Sequence, residues 1–128
     1  MIPITSAFLA ALITVESGGD WTAIGDNGKA RGGLQIHEQT WYEGVDFIST
    51  TRVGWDWGFG SKSETLSKAV ARGYLEHWGE HYEKVTGKPV TEEVLARLWN
   101  GGPNGWKKRS TIKYWVKVNK VLKGKFQP

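Results

Sequence analysis

Apolar residues recur along this chain mostly at helical spacing. In SAFLAALITVES, residues 6–17, Leu9, Leu12 and Ile13 share one stripe, and Glu16 continues it. With Thr5 or Ser6 as N-cap and Gly18-Gly19 as stop, a helix is expected from about Ser6 to Ser17. Residues 19–36 are polar and glycine-rich, which predicts a loop with at most a small β-hairpin near residues 20–36. HEQTWYEGVDF predicts a short helix after Gln35, and residues 50–61 are irregular and aromatic. A long helix is expected from about Ser63 to Thr86, with Leu66, Ala69, Val70, Gly73, His77, Trp78, His81 and Val85 on one broad face. Gly87 stops it and Pro89 lies beyond. Thr91 caps a further helix, places Glu92 and Glu93 in its first turn, and carries it to about Trp99. NGGPNG then breaks the chain. A last helix, about Thr111 to Leu122, is expected to bury Ile112, Trp115, Val116 and Leu122 and to turn Lys113, Lys117 and Lys120 outward. The pattern defines a mainly α domain of four or five helices, a single domain over residues 1–128.

Composition narrows the classes. Without cysteine, the 128 residues have neither a disulfide framework nor a thiolate metal site. The apolar run FLAALITV is eight residues long and lacks a basic segment before it, so it reads as neither a secretory signal nor a membrane span. The expectation is a soluble chain, intracellular or mature after loss of a leader, with delivery to any external target unexplained. Charge is segregated. Residues 1–93 hold eight Lys/Arg and thirteen Asp/Glu, whereas residues 94–128 hold nine Lys/Arg and no acid. Such a basic end suits a polyanion such as nucleic acid, anionic lipid or anionic cell wall, and it also suits a solvated helix face.

Glu16 is the first chemical question. A carboxylate on an apolar stripe is disfavoured in its charged form, so its pKa is expected to rise and make it a proton donor near neutral pH. Asp26, ten residues on in a polar turn, is then an ionised partner, and two carboxylates in contrasting environments are what glycoside hydrolysis requires. The same letters also describe a helix-end glutamate reaching water past Ser17 and Gly18. Gly28, Gly32 and Gly33 permit positive φ and close backbone approach, as a cleft wall or an ordinary hairpin needs. Gln35 and Asn100 carry amides able to read sugar hydroxyls and N-acetyl groups, or to satisfy one another's like in a core. Trp41, Trp55, Trp57, Trp99 and Trp106 offer flat faces for sugar rings, though such residues commonly fill cores.

Two rival motifs use other residues. HWGEH, His77 to His81, matches the H-x-x-E-H zinc-peptidase pattern on a predicted helix, but a third ligand is wanting outside Glu83, Glu92 and Glu93. Glu80 paired with Lys84 at i,i+4 accounts for the same letters. The tail WKKRSTIKYWVKVNKVLKGK suits phosphates, yet NGGPNGWKKRS is too long and glycine-rich for the turn of a helix-turn-helix, so nucleic acid is not the expected partner.

Taken together, the chain resembles the lysozyme-like superfamily of peptidoglycan-cleaving enzymes, in motifs shared by invertebrate-type (destabilase) lysozymes and soluble lytic transglycosylases. ESGG, Glu16 to Gly19, looks like the family's catalytic Glu-Ser pair. GDNGKARGGLQIHEQTW is similar to the turn ending in its Gly-x-x-Gln-Ile element, and RLWNGGPNGWKKRSTIKYW to the invertebrate-type C-terminal signature. The resemblance covers most of residues 8–122 and implies a lysozyme-like helical fold. It implies Glu16 as general acid, Asp26 as second carboxylate if one gap is allowed before Gln35, and Ser17, Gln35, Trp41, Trp99, Asn100 and Gly101 at the substrate. The implied activity is a muramidase hydrolysing the β-1,4 bond between N-acetylmuramic acid and N-acetylglucosamine, with chitin as a side substrate. It calls for no cofactor or metal, works as a monomer, and meets the anionic cell wall through the basic C-terminal region without inserting into a membrane. Invertebrate-type enzymes of animals are rich in cysteine, so its absence points to a bacterial or phage source, such as a phage endolysin. Trp99 stands where transglycosylases carry Tyr, which leans the outcome toward hydrolysis. A lytic transglycosylase giving 1,6-anhydro products, a wall-binding module without catalysis, and the zinc peptidase remain the alternatives.

Overall fold

The computed structural model describes residues 1–124. Among these, six α-helices and a small antiparallel sheet follow one another along the chain: α1 Ser6–Ser17, β1 Ile24–Gly25, β2 Ala30–Arg31, β3 Ile36–His37, α2 Glu38–Ile48, α3 Trp57–Gly60, α4 Glu64–Thr86, α5 Glu92–Gly101 and α6 Ile112–Leu122. The sheet runs β1-β2-β3, with Ala30 facing both Gly25 and His37. No helix among the described residues is long and apolar enough to cross a membrane. The chain divides into two compact units, residues 16–74 and Met1–Val15 with the chain from Leu75 on.

Local chemistry sets the helix limits. Thr5 Oγ1 accepts the Phe8 N–H at 3.0 Å and starts α1, while Gly18 and Gly19 at φ 66° and 90° end it. Thr91 caps α5 by accepting the Val94 N–H, with Glu92 and Glu93 in the first turn as expected.

The unit of residues 16–74 holds the sheet, α2, α3 and the first half of α4 around Leu34, Ile36, Trp41, Val45 and Val70, all at most 1% exposed. Here α2 meets α4 backbone to backbone. A Cβ on Gly44 would lie 2.7 Å from Val70 Cγ1, and one on Gly73 would overlap the Ile48 side chain. Glycine at these mid-helix positions costs helix propensity and gains close approach.

In the other unit Phe8, Leu9, Leu12, Leu75, Leu95, Leu98 and Val118 form the core. Gly79, inside HWGEH, leaves room for the Met1 side chain, whose sulfur would stand 3.0 Å from an added Cβ. After α5 the chain folds back on itself so tightly that a Cβ on Gly105 would overlap the Arg97 carbonyl. The buried Thr111 hydroxyl holds this loop: it accepts from Arg97 Nε at 2.8 Å and lies 2.8 Å from both the Gly105 and Lys108 carbonyls. Arg97 also reaches Glu93 at 2.9 Å and the Lys108 carbonyl at 3.1 Å.

Two helix faces differ from expectation. In α4 the buried stripe runs through Ser67, Val70, Ala71, Tyr74, Leu75 and Tyr82, one position round from the predicted face, leaving His77 and His81 exposed and Val85 58% exposed. Burying two tyrosine rings removes more apolar surface from water than burying two imidazoles. In α6 the buried positions are Tyr114 and Val118, following Thr111, while Ile112 and Val116 are each 45% exposed. Lys113, Lys117 and Lys120 are exposed. Residues 50–61 are not wholly irregular, since Asp56 accepts the Phe59 N–H and starts α3.

Candidate functional site

Glu16 lies on the last turn of α1, half-buried, continuing a stripe whose Leu9 and Leu12 are fully buried. The next residue fixes the helix end to the sheet region. Ser17 Oγ donates to the Gly33 carbonyl at 2.8 Å and accepts the N–H groups of Gly19 at 3.2 Å and Asp20 at 3.1 Å. Asp20 continues the turn by accepting from both the hydroxyl and the N–H of Thr22, and the Thr22 hydroxyl chiefly holds its carboxyl below the ordinary range.

The glycines that end this segment serve internal packing. Gly32, at φ 79°, sits so close to the Ser61 carbonyl that a Cβ would overlap it. Gly33 lies against the Trp21 indole, whose ring atoms would stand 2.7 Å from an added Cβ. A Trp and a backbone carbonyl therefore occupy the room that these residues open, in place of the substrate approach the sequence suggested. Gly28, at φ 88°, has open space at its Cβ position.

Asp26 begins a 3₁₀ turn, Asp26–Gly28, between β1 and β2. Its carboxylate is 58% exposed and pairs with His37 Nε2 at 3.2 Å. His37 escaped the sequence reading, although its place two residues after Gln35 on a strand crossing the turn was the available signal. Among the described residues, the non-glycine residues at positive φ are Asp26, Asn27 and Gln35, at 51°, 57° and 50°. Asp and Asn tolerate this region, whereas Gln adopts it at a cost of order 1–3 kcal/mol that the surroundings must hold. For Gln35 the hold is visible: Nε2 donates to the carbonyls of Gly32 at 2.9 Å and Ala23 at 3.3 Å, and Oε1 presses on Gly25. The Gln35 amide thus spends its donors on bracing the sheet.

Trp41 departs from its predicted role. It is fully buried, its indole N–H donates to the Trp55 carbonyl at 2.6 Å, and its ring lies against Gly60. Burial of the whole ring leaves no face for a sugar, so Trp41 is core. Trp57 is half-exposed: its indole N–H donates to the Ile36 carbonyl at 2.9 Å, and the Arg31 guanidinium stands 4.8 Å from its ring centre.

In the other unit, Trp99 is half-buried, Asn100 is exposed, and Gly101 ends α5. A Cβ on Gly101 would stand 2.5 Å from Thr111 Cγ2, and Lys108 Nζ donates to its carbonyl at 2.8 Å, a cation at the negative end of the helix. The basic signature is thereby partly explained as loop closure, through Arg97, Lys108 and Thr111. His77 and His81 bracket the Trp78 ring edge-on at 4.8 and 5.3 Å. Among the described residues no three His, Asp or Glu side chains gather as a metal site needs.

No family model matches the chain. The lysozyme of Meretrix lusoria is 37% identical over 90 residues, which are 70% of this chain and 66% of that protein. The invertebrate-type lysozyme of Ruditapes philippinarum is 31% identical over 90 residues, 70% of this chain and 59% of the relative. The lysozyme of Magallana gigas is 30% identical over 120 residues, 91% of this chain and 79% of the relative. For the first two, the chain spans less than two thirds of the relative's length. Among solved structures, that of Tapes japonica lysozyme matches with a TM-score of 0.73 and 28% identity, covering 91% of this chain and 89% of the other. The structure of Aeromonas hydrophila PliI in complex with Meretrix lusoria lysozyme matches with a TM-score of 0.71 and 28% identity, over 92% and 90% of the two chains. A mainly α chain with a small three-stranded sheet after its first helix, so matched, has the lysozyme-like fold. The chain belongs to the lysozyme family.

Proposed function

We propose that this protein is a glycoside hydrolase of the muramidase type, cleaving the β-1,4 bond between N-acetylmuramic acid and N-acetylglucosamine in peptidoglycan. The observation that carries the reading is the contrast between its two carboxylates. Glu16 is half-buried at the end of an apolar stripe, and Asp26 is 58% exposed on a left-handed turn with His37 Nε2 3.2 Å from its carboxylate. Glu16 is the general acid: it gives a proton to the glycosidic oxygen as the C–O bond breaks and is left as the carboxylate. The Asp26 carboxylate meets the positive charge that develops at the anomeric carbon, with His37 orienting it. Water supplies the hydroxyl of the new reducing end and the proton that restores Glu16. The resemblance to the family's C-terminal motif supports Asn100 and Gly101 as substrate contacts, and Ser17 and Gln35 brace the backbone beside the two carboxylates.

The basic C-terminal region attracts the anionic wall, so wall binding should weaken as salt rises from low to high ionic strength. Binding that ignores salt removes this part. The deciding experiment is mass spectrometry of soluble products from purified peptidoglycan, with Glu16→Gln and Asp26→Asn alongside. Reducing-end muramic acid, lost in Glu16→Gln, is expected. Anhydro-muramic products would keep Glu16 and make the protein a lytic transglycosylase with no chemical role for Asp26, and intact glycan in every sample would sink the proposal.

A further inference from the structure

A concavity of about 430 Å³ opens beside Asp26, and apart from His37 the residues of its wall have no part in the chemistry above. Its wall starts at the very next residues, Asn27 and Gly28, includes His37, the partner of Asp26, and closes on Trp57. Lys29 and Arg31 supply two cations to it. Arg31 is pre-set. Its Nε donates to the Gly28 carbonyl at 3.1 Å, and its guanidinium plane is held 4.8 Å from the Trp57 ring centre. Among the described residues, neither Lys29 nor Arg31 has a carboxylate within ion-pair distance. A guanidinium fixed through Nε keeps its two terminal nitrogens, the fork that matches a carboxylate in bidentate fashion. Glu38 is the acid on this wall, placed in the first turn of α2 where the helix favours it.

We propose that this pocket receives a carboxylate of the peptide stem that peptidoglycan carries on muramic acid, with Arg31 and Lys29 as its anion-binding residues and Trp57 as its floor. The inference rests on the proposed glycan cleavage, because a strand cut at Asp26 passes its next unit to the adjoining wall. It gives the protein a means to separate peptide-bearing wall from chitin, whose repeating sugar has the N-acetyl group but no carboxylate.

The test uses the whole chain and two probes, N-acetylmuramyl-L-alanyl-D-glutamate and the same compound with both carboxyls amidated, by calorimetry and by the NMR signal of the Trp57 indole N–H. The acidic probe should bind about tenfold tighter than the amidated one, as a charge-assisted pair implies. Arg31→Gln should abolish that preference, and Glu38→Gln should widen it by removing a repelling charge. Equal affinity for the two probes, or a response that leaves the Trp57 signal unmoved, overturns the proposal. Should Arg31→Gln fail to fold, the exposed Lys29→Gln reads the same preference, and an undiminished ratio there overturns it too. Cleavage of purified peptidoglycan is measured separately. Wall cleavage without carboxylate preference removes the pocket alone, while preference without cleavage removes the glycosidase reading and leaves the pocket as a binding site.

Discussion

Thr111→Val tests whether the glycine-rich segment after α5 is held by one hydroxyl. The residue is 1% exposed, and valine keeps its branched shape while replacing the hydroxyl by a methyl, so the change falls chiefly on hydrogen bonding. In the wild type the hydroxyl accepts from Arg97 Nε at 2.8 Å and can donate to the Gly105 or Lys108 carbonyl, each 2.8 Å away. A hydrogen bond to a charged donor contributes about 1.5–3 kcal/mol, and the hydroxyl's own donated bond about 1 kcal/mol, while both carbonyls keep another donor, the Lys108 N–H at Gly105 and the Thr111 N–H at Lys108. Arg97 keeps Glu93 and the Lys108 carbonyl, which limits the loss. The expected cost is about 2–4 kcal/mol, or a fall in Tm of about 10 °C for a chain of this size. Urea unfolding followed by tryptophan fluorescence, with an unchanged slope, gives the value directly. Thr111→Ser keeps the hydroxyl and loses the methyl that lies against Gly101, so it should cost about 1 kcal/mol. A valine variant within about 0.5 kcal/mol of wild type, or a serine variant less stable than the valine one, would refute the hydroxyl as the hub.

Three further outcomes are expected. Gly32→Ala places a Cβ on the Ser61 carbonyl at a φ of 79° and should cost more than about 3 kcal/mol, whereas Gly28→Ala meets open space and should cost only the left-handed strain of about 1–2 kcal/mol; thermal melts of equal depth would contradict the packing role. Ser17→Ala loses the 2.8 Å bond to Gly33 and should lower wall-lytic kcat by more than its stability cost of about 1–2 kcal/mol explains, since the neighbouring Glu16 loses its anchor; unchanged kcat at full occupancy argues against it. Glu83 accepts the Val90 N–H at 2.9 Å, which chiefly holds its carboxyl below the ordinary value of 4.5. A pKa lowered on folding adds stability above that ordinary value and loses it as pH falls through the folded one, so the deficit of Glu83→Gln should be present at pH 7 and close below about pH 4.5. A deficit independent of pH would assign the effect to packing.

Much of this protein was legible in its letters because it depends on neighbours in sequence. The limits of α1 and α5 follow from Thr5, Gly18 and Thr91, which act within one helical turn. A mainly α fold with at most a small sheet near residues 20–36 follows from apolar periodicity, and the family follows from motifs in order. The choice of buried face on α4 and α6 was not local. Rotating either helix by one position exchanges nearly equal apolar sets, and only the partners across the core favour Tyr74, Tyr82 and Tyr114 over His77, Val85 and Ile112. Trp41 and Trp57 are alike in sequence, yet one is sealed against Gly60 and the other supports Arg31 beside open space. The pairing of Asp26 with His37, and that of Arg97 with Thr111, joins residues eleven and fourteen apart. Residue types and spacing set what each segment can do alone, and tertiary structure decided which side chains keep a free face, because that depends on volume and charge arriving from elsewhere in the chain.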